Sequence, residues 1–186
     1  MLGAVILSQS TLEPIIQEMS QKYGIEKAWI KAHIKVESNW DVNASRFEAH
    51  KGDASWGLMQ LLLTTAKDVL GNQNLTTTQL INPRNNIEAG TKFLSQLWSR
   101  FGNMRDAIAA YNAGSPRLDS TGKSYVNQDY VDKVTNAYNQ YRTIGVAVST
   151  QDFIPSMNNP TSVSIYTILV VAGAAALVFM PKREGV

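Results

Sequence analysis

One acidic residue stands at the inner end of an apolar stretch: Glu37 follows Ile34, Lys35 and Val36, and after Ser38 the chain turns polar. A carboxyl among hydrophobic neighbours has its charged form disfavoured, so it can hold a proton nearer neutral pH. Such a group suits general acid catalysis, for example protonation of the departing oxygen of a glycosidic bond as the sugar becomes oxocarbenium-like. Position alone does not separate this role from that of a solvated glutamate at a helix end. Other chemistries find less material. The chain has no cysteine, which excludes a thiol nucleophile, a disulfide framework and a zinc-thiolate site. Its two histidines, His33 and His50, form no HExxH arrangement and read as one helix-face and one loop histidine, so neither metal nor cofactor is expected. Glu48 and Asp53 lie in the polar stretch beyond Glu37, as solvated loop acids or as candidates for a second carboxylate.

The elements that must place Glu37 are helical. From Thr11 to Ser38 the spacing predicts a helical hairpin. Thr11 is a plausible N-cap, Leu12, Ile15, Ile16 and Met19 recur at helical intervals, and Gly24 ends the first arm. The second arm carries Ala28, Ala32 and Val36 on one stripe with Ile30 and Ile34 beside it, and runs out at Ser38-Asn39. The segment 39–55 reads as irregular. Helix is expected over 58–70, ended by Gly71, with at most a short turn in the Thr- and Asn-rich stretch to Asn82. Pro83 to Phe101 has an apolar face of Ile87, Gly90, Leu94, Leu97 and Trp98. Met104 to Tyr111 forms a short helix ended by Gly114, and Tyr130 to Tyr141 a last one. No run alternates with a period of two, so the fold class expected is all-α.

Three blocks give this pattern a family likeness. Glu37-Ser38, then Gly57-Leu58-Met59-Gln60, then Ala110-Tyr111-Asn112-Ala113-Gly114 resemble, in order, the signature of the soluble lytic transglycosylase catalytic domain. Asn82-Pro83, Asn86-Ile87 and Gly90 are similar to the start of a helix in that family, and Tyr130 to Val134 to its final tyrosine-bearing helix. The likeness runs from about Thr11 to Tyr141. It implies a goose-lysozyme-like helical domain that cleaves peptidoglycan glycan strands between N-acetylmuramic acid and N-acetylglucosamine. Glu37 would be the single catalytic acid and then the base, and the product would carry a 1,6-anhydro end formed without water. Ser38 would support the acid or place the substrate's N-acetyl group. Gly57, Leu58, Met59 and Gln60 would line the cleft, Tyr111 would aim its hydroxyl at the acid or the sugar, Asn112 would buttress the turn, and Tyr130 is a further cleft candidate. Met59 and Tyr111 read equally well as core residues, and Gly57 as a backbone requirement. A hydrolytic muramidase using Glu48 or Asp53 as second acid, and a non-catalytic wall-binding protein, are the rival readings. Two departures stand out: a long interval between Glu37 and Gln60, and Leu61-Leu62-Leu63 in place of the family's usual run.

The 186-residue chain is 44% hydrophobic but only 17% charged, against about 25% in ordinary soluble domains. A net charge of +2 gives no ground for expecting nucleic-acid binding. The N-terminal residues 1–10 read as a tail without a clear signal peptide, and 11–144 as the catalytic domain. The stretch 145–160 is rich in Ser, Thr and Asn, with two prolines, and reads as a linker. Residues 161–180 carry no charge, and as a helix they would match the ~30 Å hydrocarbon thickness of a bilayer. A basic tail, 181–186, follows. The expectation is therefore one C-terminal transmembrane helix in the lipid bilayer, facing the catalytic domain toward the wall, with virion or secretion-apparatus partners.

Overall fold

Helix α1, Gln9–Tyr23, opens the chain in the computed structural model, which describes residues 8–48 and 52–151. Its N-cap is Ser8, whose side chain accepts from the Thr11 amide, so the cap lies three residues ahead of the expected one. Gly24 closes it in the left-handed conformation (φ 68°) with its N–H donating to the Ser20 carbonyl. Helix α2, Lys27–Ser38, buries Trp29, Ile30, Ala32, His33 and Ile34, and so runs through the interior with several faces covered. Two successive residues with positive φ, Asn39 (51°) and Trp40 (70°), reverse the chain immediately after it. Such a backbone is costly for a bulky residue. Burial of the Trp40 ring, edge-on to Tyr141 with centroids 6.2 Å apart, holds it there.

The stretch that reads as irregular contains a small antiparallel sheet, which corrects the all-α expectation. Strands β1 (Ser45–Glu48), β2 (Asp53–Trp56) and β3 (Leu61–Leu62) lie in the order β1-β2-β3, with Ser45 opposite Trp56, Glu48 opposite Asp53, and Ser55 opposite Leu62. The strands escape sequence reading because they are two to four residues long and β1 is largely exposed, leaving no alternation to detect. Residues 57–60 are a turn and Leu61-Leu62 is strand, so helix α3 spans only Leu63–Leu70.

Helix α4, Thr77–Ile81, starts in a reciprocal capping box between Thr76 and Gln79. Helix α5 is Pro83–Phe101, capped by Asn82 with Pro83 at its first position. Helix α6, Met104–Ala113, is capped by Asn103 and ends at Gly114 (φ 78°). Helix α7, Gln128–Gln151, continues past residue 145, where the sequence places the start of a linker. One core joins α1, α2, α5, α6 and α7 around Ile16, Ile30, Ile34, Leu94, Ile108 and Val131. A smaller one, Leu61, Ala66, Leu75, Leu80 and Ala89, fastens the sheet and α3–α4 to α5. By its internal contacts the chain divides into two units, Met1–Ser149 and Thr150–Val186. The transmembrane helix of the expected fold class is not supported: no helix among the described residues is long and apolar enough to cross a membrane. The span expected at 161–180 lies outside those residues.

Candidate active site

The last turn of α2 carries Glu37 into the wall of a cleft of about 520 Å³. Around it stand Arg46 and Glu48 from β1, Ser55 from β2, Gln60 and Leu61, Phe93 from α5, and the stretch Ala110 to Gly114 with Arg117. Loss of hydration raises the Glu37 pKa to about 7. Nearby Glu48 pushes the same way, while the Tyr130 hydroxyl and the Arg46 guanidinium pull it down. The negative end of the α2 dipole also disfavours a carboxylate there. A proton is therefore held near neutrality at a position open to a ligand.

One oxygen of the carboxyl is occupied. Tyr130, from α7, donates its hydroxyl to Glu37 Oε1 at 2.5 Å, and His33 Nδ1 lies 3.2 Å from the same hydroxyl oxygen. Burial and the Glu37 charge raise the Tyr130 phenol well above its ordinary pKa, so it stays a neutral donor. Tyr111 does not reach for the acid with a hydrogen bond: its hydroxyl donates to the Met59 carbonyl at 2.8 Å. Its ring packs on His33 and Phe93, with centroids 4.5 and 5.2 Å away.

The Gly57–Gln60 turn is held from within. Gln60 has φ 45°, and its side-chain amide donates to the carbonyls of Ala44 (3.0 Å) and Gly57 (2.9 Å) while its oxygen accepts from Ser55 Oγ (2.9 Å). Gln60 thus lines the cleft with its amide already committed to the protein. Leu58 and Met59 are fully buried core residues. The Asn86 side chain, buried at the start of α5, accepts from the Met59 amide (2.7 Å) and donates to the carbonyls of Trp56 (2.9 Å) and Leu80 (3.1 Å). Gly57 (φ 76°) leaves no room for more, because a Cβ there would collide with the Asn86 amide. A Cβ on Gly90 would strike the Met59 side chain.

The remaining expected residues divide. Ser38 Oγ donates to the Ile34 carbonyl, one helical turn back, at 3.1 Å, and Ser38 is not among the residues that line the cleft. Asn112 lines it and accepts from Asn127 Nδ2 at 3.0 Å. Glu48 lines it and is ion-paired to Arg46 (2.8 Å). Asp53 faces a separate hollow of about 400 Å³ with Thr64 and Lys67. Among the described residues no group of three His, Asp or Glu side chains converges as a metal site would require. Sequence reading passes over Phe93 and Arg117, and it gives His33 and Asn86 no hydrogen-bonding role in the site. Arg46 and Glu48, two apart on β1, share a face of the strand.

The transglycosylase SLT domain model matches residues 14–134, more than half of the chain. The chain belongs to that family. The SLT domain is 31% identical over 128 residues to the membrane-bound lytic murein transglycosylase C of Yersinia enterocolitica, covering 62% of this chain and 34% of the relative. The protein of the same name from Photorhabdus laumondii is 33% identical over 115 residues, 55% of this chain and 31% of its own length. The chain thus spans about a third of the curated relatives it matches. Among solved structures, an inactive mutant of the lytic transglycosylase Slt from Pseudomonas aeruginosa superposes with a TM-score of 0.61 at 27% identity, over 75% of this chain and 25% of that one. The 70 kDa soluble lytic transglycosylase of Escherichia coli gives a TM-score of 0.60 at 23% identity, over 72% and 24%, a likeness of fold. The lysozyme-like helical reading of the SLT domain holds, with the three-stranded sheet added.

Proposed function

We propose that this SLT domain, taken as about residues 11–144, is a peptidoglycan lytic transglycosylase that cleaves the β-1,4 bond between N-acetylmuramic acid and N-acetylglucosamine. The observation that carries the reading is the Glu37 carboxyl: desolvated, raised to about 7, open to the cleft, and held at one oxygen by Tyr130. Protonated Glu37 gives its proton to the departing glycosidic oxygen as the bond from C1 breaks. The carboxylate so formed takes the proton from the muramic 6-hydroxyl as O6 bonds to C1. Glu37 regains its proton and no water is consumed. The family resemblance adds the N-acetyl carbonyl of the muramic residue as stabiliser of the intermediate, and the relatives' printed names describe lytic murein transglycosylases.

The hydrolytic alternative needs a second carboxylate. Asp53 faces the other hollow, and Glu48 is engaged with Arg46, so transglycosylation is the better-supported outcome. The test is digestion of purified sacculi with mass analysis of the released muropeptides. Wild-type protein should release products one water lighter than hydrolytic ones, and Glu37→Gln should release none while keeping its fold. Hydrolytic ends would transfer the reading to a muramidase, and tight sacculus binding without release would make this a wall-binding protein. Membrane association is proposed on the relatives' names, which call them membrane-bound. A virion membrane or the wall-facing side of a bacterial inner membrane would each bring the domain to its substrate. Capsid or secretion-machine genes beside its own distinguish the two.

A further inference from the structure

His33 is a fully buried polar side chain that the reaction as written does not use. Its ring lies one turn before Glu37 on α2 and is covered by Tyr111 at 4.5 Å and Trp29 at 6.4 Å between centroids. Nδ1 faces the Tyr130 hydroxyl at 3.2 Å, and Nε2 has no hydrogen-bond partner. The neutral ring has two tautomers, with different consequences. With the proton on Nε2, a buried N–H would be orphaned, and Tyr130 would be drawn to donate to Nδ1 rather than to the acid. With the proton on Nδ1, the ring donates to the Tyr130 oxygen and only an acceptor lone pair is left unmatched. Orphaned buried N–H groups are rarer than unmatched acceptors. The second tautomer also orients the Tyr130 proton toward Glu37 Oε1.

We propose that His33 is a positioning residue which, as the Nδ1–H tautomer, fixes Tyr130 as a permanent donor to Glu37 Oε1 and so reserves Oε2 as the oxygen that carries the catalytic proton. The consequence is directional. A carboxyl free to give its proton to Tyr130 would spend part of its time with that proton turned from the substrate; the chain His33 to Tyr130 to Glu37 forbids it. Donation from the imidazole also polarises the phenol, which strengthens its bond to the carboxylate. The imidazole stays neutral, because burial lowers the His33 pKa to about 3. The other charged or titratable groups bearing on Glu37 are Arg46 and Glu48 from β1 and Tyr111 from α6.

This inference rests on the proposed function for its catalytic meaning, so its test reads the proton chain directly as well as through activity. Full-length protein with nitrogen-15-labelled histidine should show His33 as a neutral ring protonated at Nδ1 from pH 5 to 8. Carbon-13 carboxyl spectra then follow Glu37 in His33→Leu, which keeps bulk and loses the donor, and in His33→Asn, whose amide N–H falls near the place of Nδ1. The Leu variant should raise the Glu37 midpoint by roughly half a pH unit and lower turnover about 10-fold or more with little change in KM. The Asn variant should restore much of both. A ring protonated at Nε2 would overturn the proposal. So would a Leu variant with an unmoved Glu37 midpoint, or one whose losses the Asn variant shares, which would make His33 a packing residue. If wild-type protein released no anhydro product, the functional reading would fall, while the histidine and carboxyl spectra would still decide the chain of donors.

Discussion

Replacing Glu37 by Gln should make the protein more stable, and only above a certain pH. The unfolded carboxyl titrates at 4.5 and the folded one at about 7, so the folded state holds the proton more tightly. Stability referable to this group is fully present below pH 4.5, falls as pH rises toward 7, and levels off above that. At about 1.36 kcal/mol per pH unit, the separation between 4.5 and about 7 corresponds to a loss of roughly 3 kcal/mol. The Gln amide accepts from Tyr130 through its oxygen and does not titrate. Wild type and variant should therefore match near pH 4.5 and differ by up to roughly 3 kcal/mol at pH 8, with the variant ahead. Urea unfolding at the two pH values, with equal denaturant slopes, measures this as a shift in midpoint. In thermal unfolding it amounts to roughly 6–12 °C for a domain of this size. A difference that is the same at both pH values would refute the desolvated-carboxyl account, as would a wild type that gains on the variant as pH rises.

Tyr130→Phe removes a donor to the ionised form, so the Glu37 midpoint should rise further; a bond to a charged group is worth about 1.5–3 kcal/mol, or roughly 1–2 pH units, read as a displaced basic limb in the rate profile. Gly90→Ala should cost about 1–3 kcal/mol in urea unfolding through overpacking, because its Cβ collides with Met59. Glu48→Gln removes a charge that raises the Glu37 pKa, so the basic limb of sacculus digestion should move to lower pH. Asp53→Asn should leave both rate and product unchanged, whereas a large loss of activity would bring the hydrolytic reading back.

Long amphipathic segments were legible: the extent of α5 follows from Pro83, the apolar stripe and Gly102, and the end of α2 from Ser38-Asn39. What was not legible depends on distant partners. Nothing in Ser45–Glu48 or Asp53–Trp56 says strand until the two face each other. The family resemblance puts Gln60 in the cleft lining, yet its side-chain hydrogen bonds go to Ala44, Gly57 and Ser55. The resemblance places Asn86 at the start of a helix, and only the folded chain reveals the three backbone groups it satisfies. His33 reads as a helix-face histidine, and the partner that gives it a role, Tyr130, lies 97 residues away.

That distance has a consequence for when the chain becomes able to act. The hydroxyl that grips Glu37, and the helix that carries it, are made 93 residues after the acid. Before α7 docks, the carboxyl lacks the Tyr130 hydroxyl that holds its Oε1. The acid is thus a property of the finished fold, and a nascent chain stalled before Gln128 should leave sacculi intact. On the proposed function, a chain assembled in this order would gain its acid only once α7 is in place.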